Sequence, residues 1–569
     1  MPRSVRPAGI AGVRLRPLAL AAVLALAAAC GADPSTPQKK EEPALTGGPA
    51  ERAAQLVARL SDEDLAGQVL MPYAYGSSAT EVSPGSAAGN QKLAGVDTPA
   101  EMVAEYHLGG LILVGFSADD PTSKNQTTTN VDSPQQVLDL TTGLQKAAAK
   151  LPAGAAPMLV GTDQEYGVVT RLRDGVTTLP SAMAFGAAGD PRLTEDAWRA
   201  AGSELAAVGI NVDFAPVADV LGGDGSAVIG SRSYGSDPKK VAEQVSGAVR
   251  GLQDGGVAAT LKHFPGHGHT TGDSHTDLPQ LRQDRATLDA GDLPPFSAGI
   301  AAGAKLVMSG HLDVRAIDPG TPATFSRKVL TDVLRGQLGF KGVVVTDGMN
   351  MAPAEKWPPG EAAVRALNAG NDLLLMPPDL KAAYDGILGG LRDGSLPRER
   401  LVDAATRVLT LKFELGSKPA PAMSIVGSAA HAAAADRLAA AAVTQLRGNC
   451  QGISGPVTVT AAKGRDSTRA TLVEALKAAG VEVVDSGGTE VHLIGYGDER
   501  ADLSKTAAVT VAMDTPNLLA QSKSPSLLAT YSSSRASMRA LAGVLAGKTP
   551  PSGSAPIDVP GLPRTACAA

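Results

Sequence analysis

Short apolar runs, each closed by glycine or polar residues, recur along the chain at Gln68–Ala74, Gly110–Gly115, Pro157–Thr162, Ile210–Pro216, Ala258–Lys262, Lys305–Ser309, Gly342–Thr346 and Asp372–Met376. Runs of this length without strict alternation read as strands buried on both faces, the pattern of a parallel sheet. Between several of them, as at Leu193–Val208, Pro238–Gln253 and Arg327–Leu338, apolar residues recur three and four positions apart. That spacing predicts amphipathic helices. Eight such strands alternating with helices leave a (β/α)8 TIM-type barrel or a large doubly wound sheet, and the number eight favours the barrel. A barrel places its chemistry just past the C-terminal end of each strand. Polar residues stand there. Asp163 and Glu165 follow the third run, Asp213 and Asp219 lie at or past the fourth, and Lys262 and His263 end the fifth. His311 and Asp313 follow the sixth, and Asp347 the seventh.

A Pro- and Ala-rich stretch then interrupts the pattern, so the expected barrel covers 51–416 and a linker covers 417–424. Residues 425–569 carry their own runs, Val457–Ala462, Val481–Val484, Val491–Gly495, Ala507–Met513 and Leu527–Tyr531, with helical stretches at Ser467–Ala479 and Ser534–Ala546. This predicts a smaller α/β sandwich domain, and no catalytic constellation is visible in it.

The start of the chain follows a different logic. Arg3, Arg6, Arg14 and Arg16 precede an unbroken apolar run, Leu18–Ala29, that is too short to span a bilayer and fits a signal peptide over residues 1–30. It ends Ala27-Ala28-Ala29-Cys30-Gly31, small residues before a cysteine, which resembles a bacterial lipobox with Cys30 as the acylated residue. The competing reading is plain cleavage after an A-x-A site. Residues 31–50 (GADPSTPQKKEEPALTGGPA) lack periodicity and read as a flexible tether. The expected location is the extracytoplasmic face of the cell membrane, held by lipid. Of the three cysteines, Cys450 and Cys567 remain, and in an exported protein a disulfide between them is the natural expectation.

Composition narrows the partners. The chain has 569 residues, 43% hydrophobic and 19% charged, with a net charge of −6. Mild acidity gives no reason to expect nucleic acid. No Rossmann or P-loop glycine pattern is present, so no organic cofactor is expected. The oligomeric state is left open, a monomer being the default.

The densest chemistry is KHFPGHGHTTGDSHTD, Lys262–Asp277, which holds His263, His267, His269 and His275. Clustered histidines near aspartates can bind zinc. Here no helical H-x-x-x-H pair and no nearby cysteine support it, so no metal is expected. For His267 and His269, a role in satisfying loop backbone groups stands equal to a functional one. Asp273 two residues from His275 reads as a carboxylate orienting an imidazole for proton transfer. The second signal is Gly342-Val-Val-Val-Thr-Asp347, a lone carboxylate directly after a buried run. A carboxylate nucleophile and a separate proton donor are the equipment for retaining glycoside cleavage.

Together with GTDQEYGVVTRL (161–172), GSRSYGSDP (230–238), MSGHLDV (308–314) and VVVTDGMNM (343–351), the loop KHFPGHG…DSH resembles glycoside hydrolase family 3, in particular its bacterial β-N-acetylglucosaminidase branch. The resemblance runs from about Leu56 to Gly416, and SLLATYSSSRASMRALAGVLAGK looks like the end of the family's second domain. It implies Asp347 as nucleophile and His275 with Asp273 as general acid/base. Asp163, Arg171, Arg232, Lys262 and His263 would hold the sugar, with His311 and Met349 lining the same pocket. Two departures stand out. The family usually has E-G-G where this chain has Glu165-Tyr166-Gly167, so Tyr166 is expected to narrow the pocket or stack on the sugar, and Gly348 follows the nucleophile where a carboxylate or another residue is common.

The implied substrate is β-linked N-acetylglucosamine in peptidoglycan fragments, cleaved from the chain end. A β-glucosidase, a broad β-hexosaminidase and a phosphorylase using phosphate as acceptor remain as alternatives. So do a zinc hydrolase and, from a different class, a non-catalytic sugar-binding lipoprotein.

Overall fold

The structure, a computed structural model, describes residues 43–115, 130–222, 228–270 and 272–567. Each of the eight runs contributes one strand: β1 (Leu70–Met71), β2 (Gly110–Leu113), β3 (Leu159–Thr162), β4 (Val212–Asp213), β5 (Ala258–Phe264), β6 (Leu306–Ser309), β7 (Val343–Thr346) and β8 (Leu374–Leu375). Strands β2 to β7 pair in sequence order, all parallel, and β8 pairs with β1. A parallel bridge from Val345 to Leu373 joins β7 to β8, and the Ile112 N–H donates to the Pro72 carbonyl at 3.0 Å to join β1 to β2. The ring therefore closes.

Side-chain alternation along the strands separates two apolar layers. Ile112, Leu306, Met308, Val343 and Val345 point inward and pack with Met71, Leu159 and Phe214. Leu111, Leu113, Val307 and Val344 point outward into the layer beneath the helices. The helices start where the sequence provides caps. Asp190 and Asp237 accept backbone N–H bonds at the starts of Pro191–Ala207 and Pro238–Asp254, each with proline in the first turn. The stretch predicted at Arg327–Leu338 is helical from Lys328 to Gln337, wound as a π-helix. The last barrel helix, Arg398–Leu415, lies at the N-terminal end, where its Val408 and Leu411 join the interior set.

The second domain is a five-stranded sheet made of β9 (Thr444–Arg447), β10 (Val457–Ala461), β11 (Thr489–Ile494), β12 (Val509–Ala512) and β13 (Ser526–Ala529), ordered β9-β13-β12-β11-β10. Only β9 is antiparallel to its neighbour. One face, with Val459, Leu493, Val511 and Leu528, is covered by Leu472, Leu476, Met538 and Leu541 of the helices Asp466–Ala478 and Arg535–Leu545. The other face, with Leu446, Ile494, Ala512, Leu527 and Ala529, packs on Met183, Ala184, Val217, Leu221 and Ile229 of the barrel. The sandwich is thus completed by the barrel itself.

Two expectations change here. The run Val481–Val484 forms no strand; Val483 makes only a single bridge to Val457. Helix Pro49–Val57 begins inside the stretch 31–50 and sets the Arg52 guanidinium 4.2 Å over the Phe413 ring, while residues 31–42 lie outside the described residues. Cys30 lies outside the described residues. Among the described residues no helix is long and apolar enough to cross a membrane.

Cys450 and Cys567 are disulfide-bonded, with Cα atoms 5.8 Å apart and a sequence separation of 117. Restricting so long a loop in the unfolded chain is worth roughly 2–4 kcal/mol. The double variant Cys450→Ser/Cys567→Ser is expected to lose that much in urea unfolding; an unchanged midpoint would show that the bridge does not hold the domain.

Candidate active site

The described residues bring most of the predicted side chains to one pocket at the C-terminal ends of the strands. Its floor is an ionic network. The Lys262 Nζ, at the end of β5, lies 2.8 Å from Asp163 Oδ1 and 2.6 Å from Glu165 Oε1, both just past β3. Arg232, on the turn Gly230–Arg232, grips Glu165 with two bonds, Nε to Oε2 at 2.7 Å and Nη2 to Oε1 at 2.8 Å. The Arg171 Nη2 lies 3.5 Å from Asp163 Oδ2. Burial would raise the Glu165 pKa, but Arg232 and Lys262 outweigh it and hold the carboxyl down to about 2. Glu165 therefore fixes the two cations, while Asp163, more open, faces the pocket with Arg171, Arg232 and Lys262. Because Glu165 and Arg232 are both 3% exposed, Glu165→Ala would leave buried charge unpaired. A loss of about 3–5 kcal/mol is expected in urea unfolding, and a loss under 1 kcal/mol would show that water replaces the carboxylate.

The loop after β5 is organised by buried carboxylates. Asp219 Oδ2 accepts from His263 Nδ1 at 2.8 Å, and its Oδ1 accepts the backbone N–H groups of His263 and His267 at 3.0 and 2.8 Å. The His263 Nε2 is thereby left toward Arg232 Nη2, 3.4 Å away. His267 is tied on both ring nitrogens, to Thr270 Oγ1 at 2.6 Å and Ser274 Oγ at 3.2 Å. Burial, with His263 beside it, pushes its pKa down to about 4, so it is neutral and staples the loop. His269 turns away to the buried Asp292, Nδ1 to Oδ1 2.8 Å, whose hydrogen bond raises the imidazole pKa. Among the described residues no three histidine, cysteine or acidic side chains converge as a metal-ligand set.

His275 and Asp273 form a dyad. Asp273 Oδ1 accepts from His275 Nδ1 at 2.6 Å and from the His275 backbone N–H at 2.9 Å. The hydrogen bond from the ring holds the Asp273 carboxyl down to about 2. With Nδ1 committed, Nε2 is the nitrogen His275 offers to the pocket that it lines together with Asp347. A short pairing of Gln280–Leu281 with Asp313–Val314 pins the far end of this loop to the segment after β6.

Asp347 sits directly past β7, its N–H donating to the Ser309 backbone carbonyl at 3.0 Å and its Oδ1 accepting from the Gly348 N–H at 2.8 Å. Burial works to raise its pKa; His263, His311, the Gly348 N–H and His275 together outweigh that and keep it below the usual carboxylate range.

Three predicted residues stand elsewhere. His311 is fully buried behind the wall, with Nε2 bonded to the Gly348 carbonyl at 2.9 Å and Nδ1 to Thr324 Oγ1 at 2.9 Å, so it braces the loop of Asp347 without lining the pocket. Met349 turns into the apolar core; Met308, Asn350 and Met351 line the pocket instead. Tyr166, in a left-handed turn with φ 66°, directs its ring away from the pocket onto Trp198, centroids 5.7 Å apart. Glu165 and Asp219 stand where the barrel reading put polar groups, but only the structure shows what they hold.

Residues 68–411 match the family described as "Glycosyl hydrolase family 3 N terminal domain". The "Beta-hexosaminidase A" of Pseudoalteromonas piscicida is 33% identical over 378 residues, 61% of this chain and 61% of that protein, so the match spans under two thirds of that relative. The "Beta-hexosaminidase" of Stenotrophomonas maltophilia strain K279a is 43% identical over 255 residues, 43% of this chain and 73% of that one. The solved structure of a glycoside hydrolase family 3 beta-N-acetylglucosaminidase from Paenibacillus sp. str. FPU-7 superposes with a TM-score of 0.75 at 31% identity, covering 90% of this chain and 100% of that one.

Proposed function

Because the chain belongs to glycosyl hydrolase family 3, we propose that it is a retaining, exo-acting β-N-acetylglucosaminidase that removes β-linked N-acetylglucosamine from peptidoglycan fragments. One observation carries the reading: Asp347 and the His275–Asp273 dyad face a single pocket whose floor is Lys262, Arg171, Arg232 and Asp163. The names of the similar hexosaminidases and of the Paenibacillus enzyme support the choice of sugar.

In the first step an Asp347 oxygen attacks the anomeric carbon while the His275 Nε2–H protonates the departing glycosidic oxygen. The C–O bond breaks, a glycosyl ester forms on Asp347, and His275 is left neutral. In the second step His275 removes a proton from water, whose oxygen displaces Asp347 at the same carbon. The imidazole returns protonated and the sugar leaves with its configuration retained. The low pKa of Asp347 keeps the nucleophile ionised at neutral pH. Asp273 orients the ring and stabilises the imidazolium. A base that is neutral when deprotonated also tolerates an anionic fragment better than a second carboxylate would. Charged hydrogen bonds from Lys262, Arg171 and Arg232 suit the hydroxyl and acetamido oxygens of the sugar. In the same reading Cys30 carries the lipid that holds the barrel outside the membrane.

The test is turnover of 4-nitrophenyl β-N-acetylglucosaminide against the matching glucoside. A preference of about 100-fold or more for the acetamido sugar is expected, the range reached when a site's polar groups lose their partner. Preference for the glucoside would sink the assignment of the sugar and leave the family intact.

A further inference from the structure

The catalytic pocket has two unlike halves. One is charged and comes from β3 to β5; its Arg171, Arg232 and Lys262 side chains are each 3% exposed and form the bottom. The other comes from the ends of β6 to β8 and is lined by Met308, Met351 and Met376, with Asp347 and Asn350 as its polar side chains. Asn350 is partly exposed, and its carboxamide has no hydrogen-bond partner among the described residues. The Met351 N–H donates to the Gly348 carbonyl at 3.1 Å, so residues 348–351 form a tight turn with Asn350 at its third position. Asparagine is often chosen in turns for a left-handed backbone, but Asn350 does not adopt one, so the turn itself does not call for it. Gly348 is not left-handed either. A side chain added there would stand 2.8 Å from Asn350 Oδ1. The glycine that departs from the family pattern beside the nucleophile therefore clears the place that the Asn350 carboxamide occupies.

An exo-acting pocket seats the sugar it releases at its bottom, so the leaving group extends past Asp347 and His275 toward the opening. We propose that Asn350 is a specificity-determining residue for that leaving group, hydrogen-bonding a hydroxyl or acetamido group of the departing saccharide. Its carboxamide both donates and accepts, which suits either group. The methionines beside it are apolar and adaptable, and pack on a ring without reading its substituents. The proposal rests on the reading of the site as a retaining exo-glycosidase.

The test compares kcat/KM on 4-nitrophenyl β-N-acetylglucosaminide with kcat/KM on N-acetylglucosaminyl-β-1,4-N-acetylmuramic acid, for wild type, Asn350→Ala and Gly348→Ala. The nitrophenyl group offers a carboxamide little to bond. Asn350→Ala is therefore expected to lose about fivefold to tenfold more on the disaccharide than on the nitrophenyl substrate, the worth of one neutral hydrogen bond. Gly348→Ala, whose added methyl pushes the carboxamide aside, should show the same selective loss. Once Asn350 is replaced, adding Gly348→Ala should change the ratio between the substrates by no more than about twofold, because both substitutions remove one contact. A turn that merely supported Asp347 would lower both substrates alike. Equal losses, no selective loss in Asn350→Ala, or additive effects in the double variant would each overturn the proposal, while a wild type active on N-acetylglucosaminides keeps the catalytic reading. If wild type prefers glucosides, the sugar assignment fails, and the same comparison of nitrophenyl glucoside with cellobiose decides the role of Asn350. A wild type inert on both pairs ends both readings.

Discussion

Asp347→Ala is expected to lower kcat on any aryl N-acetylglucosaminide by about 10,000-fold or more, because the proposed mechanism runs through a glycosyl ester on that carboxylate. Asp347 Oδ1 is already held by the Gly348 N–H, which aims the other oxygen into the pocket, and the side chain is only partly covered, so the substitution should fold normally. His275→Ala should behave differently. Protonation of the leaving oxygen is worth about 100- to 10,000-fold when that oxygen is basic. Nitrophenolate leaves without help, so the loss on the nitrophenyl substrate should be much smaller than on a disaccharide. Asp273→Asn, which leaves Nδ1 without its carboxylate, should fall between wild type and His275→Ala. An Asp347→Ala protein that retains wild-type turnover, or a His275→Ala protein equally crippled on both substrates, would remove these roles.

The barrel was legible because its eight strands are buried on both faces, and burial writes itself as apolar runs. The site was legible in part for a related reason: strand ends at the barrel mouth admit polar residues, which placed Asp163, Lys262, His263 and Asp347 before any geometry was known. The failures are local. Thr444–Arg447 pairs at the sheet edge with Leu446 as its one apolar residue and offers no apolar run, whereas Val481–Val484 carries three valines but only brushes the sheet. Neighbouring residues on a tight loop point to opposite sides, and sequence does not say which. Met349 goes to the core while Asn350 and Met351 reach the pocket. Tyr166 turns to Trp198 because its left-handed backbone reverses the side-chain direction. For His311, the barrel position was informative and its role was not, since bracing a loop and touching a ligand call for the same residue at the same place.

At the opposite end of the barrel Lys412→Met is expected to stabilise the protein by about 2–4 kcal/mol at pH 6, with the gain fading as the pH rises toward 10. Lys412 is 2% exposed, and among the described residues its Nζ donates to Gln68 Oε1 at 2.8 Å and meets no carboxylate. Burial pushes its pKa from 10.5 down to about 7. Between those values the unfolded chain binds a proton that the folded chain has released, so stability rises with pH across this window by up to about 1.4 kcal/mol per unit. Below pH 7 the ammonium is carried in both states and the full cost, about 5 kcal/mol, is present. Methionine keeps most of the aliphatic stem and removes the charge; against this, Gln68 Oε1 loses its donor, at about 1–3 kcal/mol. The net gain is therefore largest on the acid side and shrinks, or reverses, on the alkaline side. Urea unfolding of both proteins at pH 6, 8 and 9.5 reads the difference directly. Parallel stability profiles for wild type and Lys412→Met would mean that Lys412 keeps its proton in the fold, which would require water or an anion to reach the barrel's closed end.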